Sequence, residues 1–255
     1  METIGLIAAM PQERDALLRR IGKWTPVALG PFRAARFRLS DRDCLLITTG
    51  MGPQRAADGT RALLAAMTPH VLISFGIAGA VHDSLHIGDV VVAGSTCCLL
   101  EVDLPCPPQP LATLSEAGWD AVAQVLQPDG ARLVAGTAIT TRGSQALSES
   151  LEKVAHPILE METAGIAQVA ARMGIPLVSI RSISDGPQAP IPFDLEVVID
   201  EKYNLHMSKI LMMVLQNPRI ILQARRILVN SGRAADHAAR AVVAALSQPL
   251  PAISR

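Results

Sequence analysis

The sequence predicts a single α/β domain built on a mostly parallel, mixed central sheet with helices on both faces. Three observations lead there. Apolar runs alternate along the chain with amphipathic stretches of helical spacing. The apolar runs lack strict in–out alternation, as strands covered on both faces do. And 255 residues, 49% hydrophobic and 18% charged, suffice for one large core.

In chain order, 3–9 (TIGLIAA) reads as a strand and 12–21 (QERDALLRRI) as a helix. Residues 32–39 and 44–50 read as strands, and 54–67 has helical spacing. Residues 71–80 (VLISFGIAGA) read as a strand entering a glycine-rich turn, and 88–94 as another strand. The proline-rich stretch 95–112 reads as a loop. A helix is expected over 116–127, a strand over 131–141 and a helix over 144–155. The segment 162–174 reads as a helix, and 176–184 (PLVSIRSIS) as a strand. A loop with Pro187, Pro190 and Pro192 follows. The rest reads as helical, broken at 217–219 (NPR), with a frayed tail at 247–255. There is no internal repeat and no domain-dividing linker.

Composition excludes several classes of function. Lys plus Arg and Asp plus Glu each total 23, so the formal net charge is zero, against the basic excess of nucleic-acid binders. Arg225, Arg226 and Arg233 form only a local cluster, read as a solvated helix face. No apolar run reaches the roughly 18 residues that span a bilayer. The start, METIGLIAAMPQERD, lacks the basic beginning and long apolar stretch of a secretory signal, so a cytoplasmic protein is expected. The cysteines have no metal-ligand spacing and are expected to be reduced. His82 and His86 flank a turn with no third ligand in view, so no metal site is expected.

Ligands of open α/β sheets collect outside the carboxyl ends of the strands. At those ends stand Met10 and Glu13; Gly50, Met51 and Gly52; Gly76, Ala78 and Gly79; Thr140, Thr141 and Arg142; Glu160, Met161 and Glu162; and Ser184 and Asp185. Each has a plain structural reading. Glu13 suits a first helical turn, Glu162 a cap, and Asp185 in SDGP a turn. The unit 159–187 nevertheless puts two acids at one end of an almost uncharged stretch, and Asp185 after an apolar run at the other. Three acids converging on one end of one sheet point to acid–base chemistry.

The stretches GLIAAMPQE, TTGMGPQRAA, SFGIAGAVHDSLHIGDVVVA and EMETAGIAQVAARMGIPLVSIRSISD occur in that order. Together they resemble the purine nucleoside phosphorylase and nucleosidase superfamily, and most the branch of 5'-methylthioadenosine/S-adenosylhomocysteine nucleosidases. The resemblance runs from about residue 3 to 215 and is weak over 95–145. It implies a phosphorylase/hydrolase-like domain over 1–217, followed by a C-terminal helical extension over 218–255. It implies a purine nucleoside and water as substrates, no cofactor and a homodimer. By motif, Glu13 matches the acid that activates water, and Asp185 the acid that protonates N7 of the purine, with Ser184 supporting it. Met161 and Glu162 match residues that hold the ribose, and Arg181 an arginine near the water site. Gly79 and Ala78 of the glycine-rich stretch are expected to line the site. So is Phe193, which equally suits a core role.

The chain departs from that branch at Ile77, where a serine is usual, and over 140–147, which has no aromatic residue for the base. SFGIAG and the arginine-bearing tail are also similar to the hopanoid-associated nucleoside phosphorylase-like branch. A phosphate-dependent phosphorylase is therefore the second enzymatic reading, though an acid at Glu13 suits water better than phosphate. A non-catalytic nucleoside-binding protein is a third, and the presence of all three acids argues against it.

Overall fold

The computed structural model describes residues 1–99, 108–141, 151, 153–190 and 219–249. Among the described residues ten strands carry the fold: β1 (Thr3–Ala8), β2 (Thr25–Leu29), β3 (Phe32–Leu39), β4 (Arg42–Thr48), β5 (Val71–Ala80), β6 (Val90–Leu99), β7 (Gln109–Pro110), β8 (Leu133–Thr141), β9 (Pro157–Glu160) and β10 (Leu177–Asp185). The α-helices among these residues are α1 (Pro11–Ile21), α2 (Pro53–Ala66), α3 (Glu116–Leu126), α4 (Thr163–Arg172) and α5 (Arg219–Leu246). The sheet runs β10-β6-β8-β9-β5-β1-β4-β3-β2, with β7 on β6, and β10 also pairs with β5. Five strands, β5, β9, β8, β6 and β10, therefore close on themselves. Each contributes to one apolar cluster containing Ala78, Ile158, Ala138, Val91 and Ile183, so the ring is packed rather than hollow.

The sheet is mixed. β1 is parallel to β4 and β5, and β5 to β10, whereas β6 runs antiparallel to β10 and β3 to its neighbours. Helices cover both faces. α1, α3 and α5 pack over the cluster holding Leu17, Val122, Val242, Phe75 and Ile180. α2 and α4 cover the opposite cluster of Ile47, Leu63, Leu72 and Ile166. Helix boundaries follow local chemistry. Pro11 and Pro53 stand in the first turns of α1 and α2, where a missing N–H leaves no bond unmade. Ser115 caps α3 by accepting the Gly118 N–H. Gly22 ends α1 at φ 78°.

Several elements depart from expectation. Residues 71–80 are strand throughout, with no turn at the glycines, because β10 pairs with β5 as far as Gly79. The expected loop 95–112 begins as strand: β6 continues to Leu99 alongside β8, and Gln109–Pro110 pairs back onto it. β2 and β9 had no clear apolar run to betray them. β2 is largely exposed and β9 is four residues long. Most of the helix expected over 144–155 lies outside the described residues, and 153–156 are turn and bend. The expected C-terminal helix is α5, whose alanine-rich face packs into the main core.

Candidate active site

The site starts from a mismatch in strand length. β1 pairs with β5 only over Val71–Ser74, and β9 pairs only at Gly79 and Ala80. Between them one edge of β5 has no strand beside it, and its backbone donors need other acceptors. Glu13 supplies one. Its Oε1 accepts the Ile77 N–H at 3.0 Å. Its Oε2 accepts those of Ala9 and Met10 at 2.9 and 2.8 Å, across the turn from β1 into α1. Gly76 makes room, since any Cβ there would collide with the Glu13 carboxylate. Burial raises the Glu13 pKa, against the backbone bonds and the nearby Arg181, which lower it.

The second acid group sits where β9 turns into α4. The Glu160 carboxylate is buried and receives five donors. Oε2 accepts from the backbone N–H groups of Glu162 (2.9 Å) and Thr163 (2.7 Å), the Thr163 hydroxyl (2.7 Å) and Arg181 Nη2 (3.2 Å). Oε1 accepts from the Thr140 hydroxyl. Burial opposes its charge, but Arg181 and these hydrogen bonds prevail and hold its pKa below the usual carboxylate range. Arg181, 2% exposed, also donates to Ser74 Oγ at 2.8 Å and Thr163 Oγ1 at 3.2 Å. Its Nε has no hydrogen-bond partner among the described residues.

Glu162 has the opposite fate. Its Oε1 accepts one backbone donor, the Gly52 N–H just beyond β4, at 3.1 Å. Burial first, then the charge of Glu160, push its pKa up to about 8; Arg181 opposes this and Glu13 adds to it. Two carboxyl groups two residues apart are thus held in different protonation states by their surroundings.

Asp185 ends β10 opposite Gly79 of β5, after a register shift at Ile183. A Cβ at Gly79 would stand 2.7 Å from Asp185 Oδ2, so glycine lets the carboxyl lie against the strand. The Ser184 hydroxyl donates to Asp185 Oδ1 at 2.6 Å, and its oxygen lies 3.3 Å from the Ala78 carbonyl, the alternative acceptor of the same proton. Burial raises the Asp185 pKa, with the Ser184 bond opposing it.

The fold therefore brings Glu13, Glu162 and Arg181 within reach of one another's charge, with Glu13 on the free edge of β5, while Ser184 and Asp185 lie farther along the same strand against Ala78 and Gly79, and Met161 stands between Glu160 and Glu162. Phe193 and Arg142 lie outside the described residues. Sequence reading gave no role to Glu160, Ser74, Thr140, Thr163 or the Gly52 amide. A second acid in an otherwise apolar EMET turn was the visible signal for Glu160. The three hydroxyl residues carry none, since only the pairing of β8 with β9 brings Thr140 to Glu160, and that of β5 with β10 brings Ser74 to the guanidinium. Among the described residues no group of His, Cys, Asp and Glu is arranged to hold a metal ion, and no helix is long and apolar enough to cross a membrane.

Known proteins share this frame. A 5'-methylthioadenosine/S-adenosylhomocysteine nucleosidase of Actinobacillus succinogenes is 30% identical over 71% of this chain and 85% of its own length. The Neisseria meningitidis enzyme of that name, solved with methylthio-immucillin-A, superposes with a TM-score of 0.69 at 22% identity, covering 97% of this chain and 99% of that one. Futalosine hydrolase of Helicobacter pylori superposes at 0.68 with 19% identity, over 96% and 97% of the two chains. The model of the phosphorylase superfamily matches residues 3–214, most of the chain and every described site residue. With that match over the strands and acids described above, the chain belongs to the phosphorylase superfamily.

Proposed function

We propose that this protein hydrolyses the N-glycosidic bond of a purine nucleoside, a 5'-modified adenosine of the methylthioadenosine or S-adenosylhomocysteine type, releasing the free base. One observation carries the reading: three carboxyl groups lie along β5 and its neighbours, Glu13 buried on the free edge, Glu162 buried within reach of the Glu13 charge, and Asp185 half-buried against Gly79. Relatives named as nucleosidases of these substrates support the choice of nucleoside.

The roles follow from the chemistry. Breaking the bond between C1' and the purine nitrogen leaves positive charge on the sugar and the bonding pair on the base. Asp185, whose pKa burial raises, gives its proton to N7, with Ser184 fixing the carboxyl's orientation. Glu162 binds the sugar hydroxyls, with Met161 against the ribose and the β5 backbone at Ala78 and Gly79 lining the pocket. Water attacks C1' as Glu13 takes its proton; a raised pKa makes Glu13 the stronger base. Solvent then restores the proton to Asp185. Arg181 stands beside the water site and balances the charge of the acids. The reaction is acid–base chemistry throughout and consumes no cofactor.

The test is a panel of nucleosides incubated with and without phosphate, the products being resolved by chromatography. Free base and free sugar are expected in both conditions. Sugar 1-phosphate as the main product would establish a phosphorylase instead, and binding without turnover a nucleoside-binding protein.

We further propose a cytoplasmic homodimer, supported by the resemblance and by a hydrophobic fraction of 49%. Light scattering at micromolar concentration should give twice the chain mass of 27.0 kDa. A monomer mass refutes the dimer.

A further inference from the structure

We propose that Glu160 makes the nucleophile position selective for water over phosphate, by holding Arg181 in a closed, neutral pair. The proposal rests on the hydrolytic reading above and concerns what enforces it.

A phosphate dianion in a buried site needs a free cation or a nest of free backbone donors. Among the described residues neither is at hand: Arg181, with only its Nε unpartnered, is balanced by Glu160, and Arg55 beside Gly50 is exposed rather than buried. Arg181 is the cation whose charge acts on Glu13, Glu160 and Glu162. Its Nη2 is already divided among Glu160, Ser74 and Thr163. The backbone donors at the strand ends are likewise taken by the protein's own acids. Glu13 occupies the amides of Ala9, Met10 and Ile77, Glu162 that of Gly52, and Glu160 those of Glu162 and Thr163. A dianion entering here would lose its hydration and meet no net positive charge. A neutral water pays no such penalty.

Glu160 is the member whose neutralisation releases the cation. It touches Arg181 directly, and side-chain and backbone donors secure it on α4 and β8. Glu160→Gln keeps the shape of the side chain and removes the carboxylate in contact with Arg181, so that its positive charge is left to Glu162, which is not in contact with it, or to an anion from solution. That charge is expected to recruit an anion.

The experiment compares the wild type with Glu160→Gln, using 5'-methylthioadenosine as substrate and phosphate or sulfate as added anion. Wild-type turnover should be indifferent to millimolar phosphate. In Glu160→Gln, phosphate and sulfate should both inhibit, with inhibition constants lower by about tenfold or more, or phosphate should yield sugar 1-phosphate. Both anions should also raise the melting temperature of the variant but not of the wild type, a readout independent of activity. The double variant Glu160→Gln/Arg181→Gln should lose the anion response.

If Glu160→Gln does not fold, Glu160→Asp decides. It keeps the buried charge but withdraws the carboxylate from Arg181, so the same anion response is expected in weaker form. A folded variant as blind to anions as a hydrolytic wild type overturns the proposal alone. A wild type that requires phosphate overturns the hydrolytic reading and this proposal with it.

Discussion

Asp185 lies against Gly79 and, among the described residues, only Ser184 donates to it, so burial dominates its pKa. As a general acid its proton moves in the transition state. Asp185→Asn should therefore lower kcat by about 100- to 10,000-fold, equivalent to about 3 to 5 kcal/mol of barrier, with a smaller effect on KM. A nucleoside with a leaving group that needs no proton should be hydrolysed by the variant at closer to the wild-type rate. Kinetics within about threefold of wild type on the purine substrate would reduce Asp185 to a turn residue. Glu162 makes a second prediction, this one of stability. The unfolded chain gives up its Glu162 proton near 4.5, the ordinary value for a glutamate, whereas the folded chain holds it to about 8. In that window the folded state binds more protons, so stability falls as pH rises, by at most about 1.4 kcal/mol per pH unit. Glu13 and Asp185, also raised, act with the same sign. Glu160, lowered, contributes fully above 4.5 and loses its contribution as pH falls below that. The melting temperature should thus be higher at pH 5 than at pH 8, and Glu162→Gln should shrink the difference. A Glu162→Gln profile parallel to wild type would rule out a protonated Glu162 in the fold.

At the scale of the element, two helical glycines should respond oppositely to alanine. Gly165 in α4 faces the backbone of Pro53, where α2 begins, and a Cβ there would collide with the Pro53 carbonyl. Gly165→Ala should cost about 1 to 3 kcal/mol by forcing the two helices apart, despite alanine's better helix propensity. At Gly232 in α5 the nearest atom to a Cβ is Gln12 Nε2 at 3.9 Å, so Gly232→Ala should stabilise by about 0.5 to 1 kcal/mol. Denaturant unfolding of the two variants measures both signs. The same contrast explains what the sequence could disclose. Buried strands such as β1, β4 and β10 and amphipathic helices such as α1 and α3 announce themselves by local pattern. Glu13 and Asp185 were legible because each follows such a strand. The closure of β10 onto both β5 and β6 was not, because pairing partners far apart in sequence leave no mark in either strand. The closed ring and the approach of Ser74 to Arg181 depend on that closure, whereas the free edge of β5 comes from the short reach of β1 and β9.

For the whole molecule, the decisive element is α5. A helix beyond residue 217 reads in sequence as an extension, and the superfamily model itself ends at 214. We propose that this boundary separates the residues that make the site from a helix that completes the core. Ala234, Ala235, Ala238, Ala239, Val242, Ala245 and Leu246 are buried to within 5%. Their small side chains let α5 lie close to β5, β10, α1 and α3 together. Side-chain bonds fasten it as well: His237 Nδ1 lies 2.7 Å from the Gly88 carbonyl, Arg20 pairs with Asp236 at 2.6 Å, and Arg240 pairs with Asp129. Burying two large aliphatic side chains and a row of alanine methyls is worth on the order of 10 kcal/mol. That is comparable with the whole stability of an ordinary domain, about 5 to 15 kcal/mol. Deleting residues 218–255 should therefore leave a chain without a cooperative unfolding transition, with the apolar surfaces of β5 and β10 open to solvent and to aggregation. The check is circular dichroism and calorimetry of the truncated chain beside one ending at residue 249, which keeps all of α5 and should melt as the full chain does. A cooperative transition in the 1–217 fragment would make α5 an accessory, and would require the ring of five strands and the remaining helices to supply the whole core by themselves.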